Sequence, residues 1–209
     1  MNRLTQYSCD DFAQALASKT PVPGGGGAAA MAGALGVALC SMAGNFTSGK
    51  KKFTDVEEDI QRILKESDAL RIRLTELVEL DASSFEPLSR AYAIAKDDPC
   101  RQQVMEEASL NACQAPLEMV VCCGQAMLLL EEILEKGSRM FVSDVGCGAL
   151  LCKAAMESAA LTVFVNTASM KDRAVADKLE QQVDDALHTY LPLADRIAAS
   201  ATAYIRKES

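Results

Sequence analysis

Three polar residues fall where chemistry would need them, on the apolar stripes of predicted helices. Asp81, Asn45 and Asn166 each continue a helical series of apolar side chains. Burying a carboxylate or an amide without partners costs free energy, so such residues either bond to one another or face a polar pocket. A single one would favour a structural role, but three in one small helical protein favour a pocket. The sequence therefore predicts a site lined by these three side chains.

Asp144 is a second candidate catalytic carboxylate, at the start of another predicted helix. The simplest role for Ser143 or Asp144 there is that of an N-cap. As a catalytic group, Asp144 would be held ionised by the helix dipole and could act as a base. Asp81 would have its pKa raised by burial and could act as an acid. Carboxyl groups with pKa values shifted apart are a common acid/base arrangement. The sequence leaves open whether these two meet in space.

A glycine run precedes the most apolar helix. Residues 20–27 read Thr-Pro-Val-Pro-Gly-Gly-Gly-Gly and are predicted to form a non-helical loop, followed by a helix over about residues 28–46. Unpaired N–H groups at a helix N-terminus bind anions, which makes Gly24, Gly25 and Gly26 candidate backbone donors to a substrate. No Gly-Lys-Ser/Thr sequence closes the run, so it is not a nucleotide P-loop. A tight turn into a crowded helix remains the alternative.

A lysine run follows the same helix. Lone charge runs are usually solvated loops, but this protein has a net charge of −8. A local basic cluster of Lys50, Lys51 and Lys52 could capture carboxylates or phosphates by charge. We therefore treat these lysines as candidate substrate-binding residues.

Composition excludes several functional classes. The acidic net charge argues against a nucleic-acid partner. The eight cysteines form no CxxC pair and lie mostly in apolar helical runs, which favours reduced thiols and a cytoplasmic location. The one histidine, His188, supports neither a catalytic His pair nor a metal site, so we expect no metal. Residues 28–44 are apolar but rich in alanine and glycine and shorter than a membrane span of about 20 residues. We expect no membrane association.

Helical periodicity predicts an all-α fold. We expect a single domain over residues 1–209, an antiparallel bundle of five to six helices, several of them long and kinked. Helix starts are predicted at or near Ser8, Thr54, Asp98 and Asp172, with Pro87 and Pro116 bending or ending their helices.

The helix over residues 28–46 is predicted to be central. Small residues recur at every fourth position, Ala32, Gly36, Cys40 and Gly44, which lets another backbone approach closely. This helix has more apolar surface than a small monomer covers, so we expect a homodimer or larger assembly.

Two segments resemble a known family. TPVPGGGGAAAMAGALGVALCSMAGNFTSGKKKF is similar to the signature of the formiminotetrahydrofolate cyclodeaminase and methenyltetrahydrofolate cyclohydrolase family. SDVGCGALLCKAAMESAALTVFVNTASMKD resembles the second signature of that family, and Leu80-Asp-Ala-Ser-Ser-Phe85 is a looser match. The sequence departs at Gly27, where a serine would be expected, and at Ser83 and Ser84, where alanine is more usual.

The resemblance implies a homodimeric enzyme acting on a tetrahydrofolate polyglutamate, with no cofactor beyond that substrate. A cyclodeaminase would convert 5-formiminotetrahydrofolate to 5,10-methenyltetrahydrofolate and ammonia, and this activity is the first expectation. The alternatives are a cyclohydrolase, which opens the methenyl ring with water, and a non-catalytic folate-binding or helical interaction protein. The lysines would hold the glutamate tail, the amides the pterin, and the carboxylates would transfer protons.

Overall fold

Six α-helices dominate the computed structural model, which describes residues 3–207, and no strand occurs in that range. They are α1 Cys9–Ala17, α2 Gly25–Asn45, α3 Glu57–Tyr92, α4 Arg101–Lys136, α5 Val142–Thr167 and α6 Arg173–Arg206. Short 3-10 helices cover Leu4–Gln6, Lys51–Val56 and Arg139–Phe141. The prediction of an all-α bundle of five to six helices is confirmed.

Helices α2 and α5 pack against each other at the centre of the bundle. Helix α2 also packs against α3, and α5 also packs against α4 and α6. A Cβ atom at Gly36 would lie 2.6 Å from Cys152 Sγ and 2.8 Å from the Gly148 carbonyl oxygen. Glycine at both Gly36 and Gly148 therefore allows the two backbones to approach closely, as the small-residue pattern predicts.

The two central helices run antiparallel. The first turn of α2, at Gly25, lies beside Leu161 and Val165 near the end of α5. At the other end, the rings of Phe46 and Phe141 stack, which joins the end of α2 to the start of α5. The N-termini of α2 and α5 therefore lie at opposite ends of the bundle.

Helix starts were predicted with mixed success. Ser8 caps α1 by accepting from the Asp11 N–H, and Asp172 caps α6 by accepting from the Val175 N–H. Thr54 does not cap α3, because the N-cap of that helix is Val56 and the Thr54 hydroxyl donates to the Lys51 carbonyl oxygen. Asp98 accepts from the Cys100 N–H, but α4 begins only at Arg101.

No helix ends at a proline. Helix α3 continues past Pro87 to Tyr92, and α4 continues through Pro116 to Lys136. Each proline removes one N–H bond, a cost that packing along the rest of a long helix outweighs. The predicted helix end at Gly137 is confirmed.

By length and composition alone, Gly25–Asn45 and Arg139–Thr167 are apolar enough to cross a membrane. Both contain helices that pack lengthwise against neighbours in the bundle. Core helices of soluble proteins have the same composition, so this test is weak evidence for a span.

Candidate active site

The carboxyl group of Asp81 lies against the first turn of α2. A Cβ atom at Gly26 would lie 2.2 Å from Asp81 Oδ1, so the carboxylate occupies the space that a side chain there would need. The backbone N–H of Gly27 donates a hydrogen bond to the carboxyl group. The N-cap residue of α2, Gly24, has no side chain to cap the helix. Asp81 therefore caps α2 from the neighbouring helix α3.

The environment of Asp81 suits proton transfer. Burial raises the pKa of Asp81 to about 6, and the hydrogen bond from the Gly27 N–H opposes that rise. A carboxyl group with this pKa is present in both protonation states near neutral pH, as a general acid or base needs. The raised pKa predicted for Asp81 is confirmed.

The space available for a side chain differs among the glycines of this run. Only Gly26 is excluded from carrying a side chain by Asp81. A Cβ atom at Gly25 would meet nothing within 4 Å, and one at Gly27 would lie 3.5 Å from Pro23 Cβ in ordinary contact. The prediction that residues 20–27 are non-helical is wrong for Gly25, Gly26 and Gly27, which form the first turn of α2. Tertiary contact with Asp81 and packing on α3 offset the poor helix propensity of glycine.

The carboxyl group that accepts from this helix N-terminus is the protein's own Asp81. Binding of substrate by Gly24, Gly25 and Gly26 stays a prediction. We call Gly24, Gly25, Gly26, Gly27 and Asp81 together the glycine end.

An apolar groove starts at the glycine end and follows the α2/α5 contact. Its volume is about 530 Å³. Polar side chains in it are limited to Ser158 and Thr162, while Leu161 is 69% exposed. The lining includes Gly25, Ala28, Ala32, Ser158, Leu161 and Val165. This face is much more apolar than a solvated surface needs to be.

Five of the other predicted site residues lie at the far end of α2. Asn45 is the last residue of that helix and is exposed, as are Lys50, Lys51 and Lys52. Asp144 lies near them because Phe46 stacks on Phe141, three residues before it. We call Asn45, Lys50, Lys51, Lys52 and Asp144 the lysine end. It is separated from the glycine end by the 21 residues of α2, about 30 Å at the rise of an α-helix.

Asp144 is not an N-cap. Phe141 occupies the cap position of α5, and Asp144 is the third residue of the helix, partly exposed in its first turn. That position still allows the stabilising interaction with the helix dipole that the sequence analysis invoked. Within one chain Asp81 and Asp144 do not meet, because the N-termini of antiparallel helices lie at opposite ends.

The two amides behave differently from the prediction that both line a pocket. Asn166 is buried, and its Nδ2 donates to the Ala112 carbonyl oxygen at 3.1 Å, which joins α5 to α4. That amide makes a structural contact between two helices, and its role in binding substrate stays a prediction. Asn45 is exposed rather than buried, since α2 ends there and no neighbouring helix covers it.

The hydrogen bonds that stabilise the turn before the lysines were not predicted from the sequence. The Glu57 carboxylate accepts from Ser48 Oγ at 2.7 Å and from the Gly49 N–H at 2.9 Å. Hydrogen bonds from Gln61, Gly49 and Ser48 hold the pKa of Glu57 below its ordinary value. Glycine is required at Gly49, where φ is +72°. The sequence offers only the acidic residue Glu57 nine residues after Ser48, and an acidic residue there is equally typical of a helix start.

A family model described as formiminotransferase-cyclodeaminase matches residues 8–185. The chain belongs to this family. It is 38% identical over 192 residues to the methenyltetrahydrofolate cyclohydrolase of Methylorubrum extorquens, covering 90% of this chain and 92% of that protein. The resemblance stated from the two segments is thereby confirmed.

Two less similar members of the family match this chain in different ways: one over part of its own length, the other over its whole fold. The mouse formimidoyltransferase-cyclodeaminase is 27% identical over 188 residues, which are 88% of this chain and 35% of the mouse protein. This chain therefore spans about a third of that relative. The crystal structure of formiminotetrahydrofolate cyclodeaminase from Thermotoga maritima superposes with a TM-score of 0.89 at 24% identity, covering 97% of this chain and all of that one. At that identity, the superposition establishes the fold alone.

Proposed function

We propose that this chain is a methenyltetrahydrofolate cyclohydrolase, an enzyme that opens the five-membered ring bridging N5 and N10 of tetrahydrofolate. The observation that carries the proposal is Asp81, a carboxyl group with a pKa of about 6 held at the N-terminus of α2. Ring opening needs a proton taken from water and a proton given to nitrogen, and one group of this pKa can do both. Identity to the Methylorubrum cyclohydrolase over nearly the full length of both chains supports this activity.

In this mechanism ionised Asp81 takes a proton from water as the water oxygen adds to the methenyl carbon. A new C–O bond forms and the cationic ring becomes a neutral tetrahedral carbinolamine. Protonated Asp81 then returns its proton to N5 as the C–N5 bond breaks, and the hydroxyl proton leaves to solvent. The products are 10-formyltetrahydrofolate and one proton. The N–H groups of Gly25 and Gly26 offer donors to polar atoms of the substrate beside Asp81.

Cyclodeaminase is the second candidate, and it is the activity that the sequence analysis placed first. It passes through the same kind of tetrahedral carbon, because N10 attacks the formimino carbon on N5 and the departing nitrogen takes a proton to leave as ammonia. Protonated Asp81 is a suitable acid for that step. Identity of 27% over 188 residues to the mouse formimidoyltransferase-cyclodeaminase supports this activity as the second candidate.

One assay separates these activities. The protein is incubated with 5,10-methenyltetrahydrofolate, and with 5-formiminotetrahydrofolate in a second reaction, while methenyl absorbance is followed. We expect the first to lose absorbance faster than its spontaneous hydrolysis. Growth of absorbance with release of ammonia in the second would assign cyclodeaminase instead. No change in either would leave a binding protein without turnover. Asp81→Asn is the matched control for background hydrolysis.

The lysine end fits the glutamate tail of the substrate. Lys50, Lys51 and Lys52 are exposed on a protein of net charge −8, so they form a local attraction for carboxylates. The length of α2 separates them from Asp81 in the same chain. One chain therefore cannot place Asp81 and these lysines on the same folate molecule near the proton transfer.

A homodimer would do so. The exposed apolar face of α2 and α5 includes Leu35, Leu150, Leu161 and Val165, and it suits a second copy of the chain. In a pair related by a two-fold axis perpendicular to these helices, the helices of the two copies run antiparallel. The glycine end of one protomer then lies beside the lysine end of its partner. We propose that each active site combines Asp81 of one protomer with Asp144 and the lysines of the other.

Subunit mixing tests this arrangement. Asp81→Asn and Asp144→Asn are each prepared as dimers, which the shared site predicts to be inactive, then mixed in equal amounts under conditions that allow subunit exchange. Half of the dimers become mixed, and each mixed dimer has one site with both native carboxylates. We expect activity to recover to about one quarter of the wild-type value. No recovery, with exchange verified by differently tagged subunits, would overturn the shared site.

A further inference from the structure

The aromatic rings of Phe46 and Phe141 form a stacked pair at the lysine end. Their centroids lie 4.3 Å apart and their planes are inclined by 19°. Phe141 covers one side of Phe46, yet Phe46 remains 50% exposed. An aromatic ring with so much exposed surface, already supported on one face, can accept a second flat ring.

This pair is held in place by buried polar contacts. Thr47, the next residue, has no exposed surface. Its Oγ1 donates to the Ala43 carbonyl oxygen at 2.7 Å and accepts from the Ser138 N–H at 2.9 Å. These bonds tie the end of α2 to the segment that carries Phe141. The orientation of Phe46 therefore does not have to be ordered by a ligand, which reduces the entropic cost of binding.

Two unpaired lysines follow the exposed ring closely in the chain, Lys50 four residues after Phe46 and Lys51 five residues after it. Within residues 3–207, Lys50 and Lys51 take part in no ion pair, whereas Lys136, Lys153, Arg62 and Arg73 all do. Lys52 is placed over the Phe53 ring, with its Nζ 5.7 Å from the centroid. An exposed aromatic ring followed within five residues by two unpaired ammonium groups suits a ligand that has an aromatic ring and a carboxylated tail.

We propose that Phe46 stacks on the p-aminobenzoyl ring of the folate, with the glutamyl carboxylates that follow it bound by Lys50 and Lys51. This inference rests on the proposed function, since it names the subsite for one part of that substrate. It makes Phe46 a binding residue for the middle of the molecule, remote from the proton transfer at Asp81. Its removal therefore changes affinity and leaves the chemical step unchanged.

The test uses p-aminobenzoylglutamate as the probe, because it contains this part of folate and cannot be turned over. Calorimetry measures its binding to the wild type, to Phe46→Leu and to Phe46→Trp. We expect Phe46→Leu to weaken binding about fivefold to tenfold, the range expected for loss of one stacking pair, and Phe46→Trp to retain it. With the full substrate, Phe46→Leu should raise KM by a similar factor while kcat and its pH profile stay unchanged.

Tyr92→Leu is the matched control, since Tyr92 is 52% exposed at the end of α3, away from the lysine end. It should leave probe binding and KM unchanged. Equal probe binding by Phe46→Leu and wild type would overturn the proposal. So would a shift of Phe46→Leu to monomers in sedimentation, which would make Phe46 a subunit contact. Probe binding that depends on Phe46 in a protein without turnover would refute the proposed reaction but keep the subsite.

Discussion

The two ends of α2 place polar groups in contrasting surroundings. At the glycine end, Asp81 is half-buried against a helix N-terminus, and burial raises its pKa to about 6. At the lysine end, Asn45, Lys50, Lys51 and Lys52 are exposed, so water and salt screen their charges. Burial shifts the pKa of a carboxyl group towards the range needed for proton transfer, whereas exposed lysines keep their charge and can attract an anionic ligand. We therefore expect proton transfer at the glycine end and substrate capture at the lysine end.

The sharpest test of this division is Asp81→Asn. We expect turnover to fall by a factor of about 100 or more, the range for loss of a general acid or base, with KM little changed. The amide oxygen can still accept from the Gly27 N–H, so the fold should persist. Steady-state kinetics and circular dichroism measure the two effects. Near-normal turnover in a folded variant would place the chemistry elsewhere.

Asp144→Asn asks whether the lysine end also contributes to chemistry. If Asp144 transfers a proton, turnover should decrease by a factor of about 100 or more while folding is retained. If it only interacts with the dipole of α5, the variant should lose a little thermal stability and keep its turnover. The ratio of kcat values in a folded variant decides between these outcomes.

Gly26→Ala and Gly27→Ala form a matched pair within one turn of helix. At Gly26 the new Cβ atom would lie 2.2 Å from Asp81 Oδ1 and must displace the carboxyl group, whereas at Gly27 it meets only ordinary contacts. We expect Gly26→Ala to destabilise the fold by about 1–3 kcal/mol and to lower kcat strongly. Gly27→Ala should change stability by less than about 1 kcal/mol. Similar effects of the two substitutions, by chemical unfolding, would argue against the close contact with Asp81.

Charge reversal at Lys50 and Lys51 probes the other end. The variant Lys50→Glu/Lys51→Glu should have a KM for the folate substrate about tenfold higher and a kcat nearly unchanged, because these lysines bind the glutamate tail and do not transfer a proton. The effect should increase with the number of glutamates on the substrate and shrink as salt is added, given a Debye length of about 10 Å at 0.1 M. The double variant Lys65→Glu/Lys178→Glu, at exposed positions of α3 and α6, is the control for net charge. A loss of kcat equal for mono- and polyglutamate substrates would instead place a lysine in the chemistry.

The smallest expected effect is on stability against pH. The folded pKa of Asp81, about 6, exceeds its ordinary value of 3.8, so the folded state binds more protons than the unfolded state between those values. Asp81 therefore makes the protein less stable as pH rises from about 4 to about 6. Melting temperatures of Asp81→Asn relative to the wild type should increase across that window. Asp184→Asn, at an exposed position of α6, is the control for removal of a surface carboxylate. A constant difference for Asp81→Asn would contradict the raised pKa.

The candidate residues show where prediction from sequence succeeded. Asp81 could be identified as a candidate site residue because a carboxylate on an apolar stripe is costly to bury unless it faces a polar pocket or a hydrogen-bond partner. Asn166 met the same criterion and proved structural, because a buried amide can be satisfied by a carbonyl oxygen of another helix. Periodicity identifies a buried polar group but does not identify the atom it faces. The stack of Phe46 on Phe141 joins residues 95 positions apart, and no local pattern connects them.

The sequence alone determined the helices of this protein, the small-residue contact of α2, and the charge contrast between the two ends of that helix. These follow from local propensity and from apolar spacing, which act over a few turns. Only the tertiary structure decided that Gly25, Gly26 and Gly27 are helical, that Asp81 caps α2, and that Asp144 lies at the opposite end. The reason is that the direction in which α5 packs on α2 depends on contacts between residues far apart in the chain, such as Gly36 with Gly148.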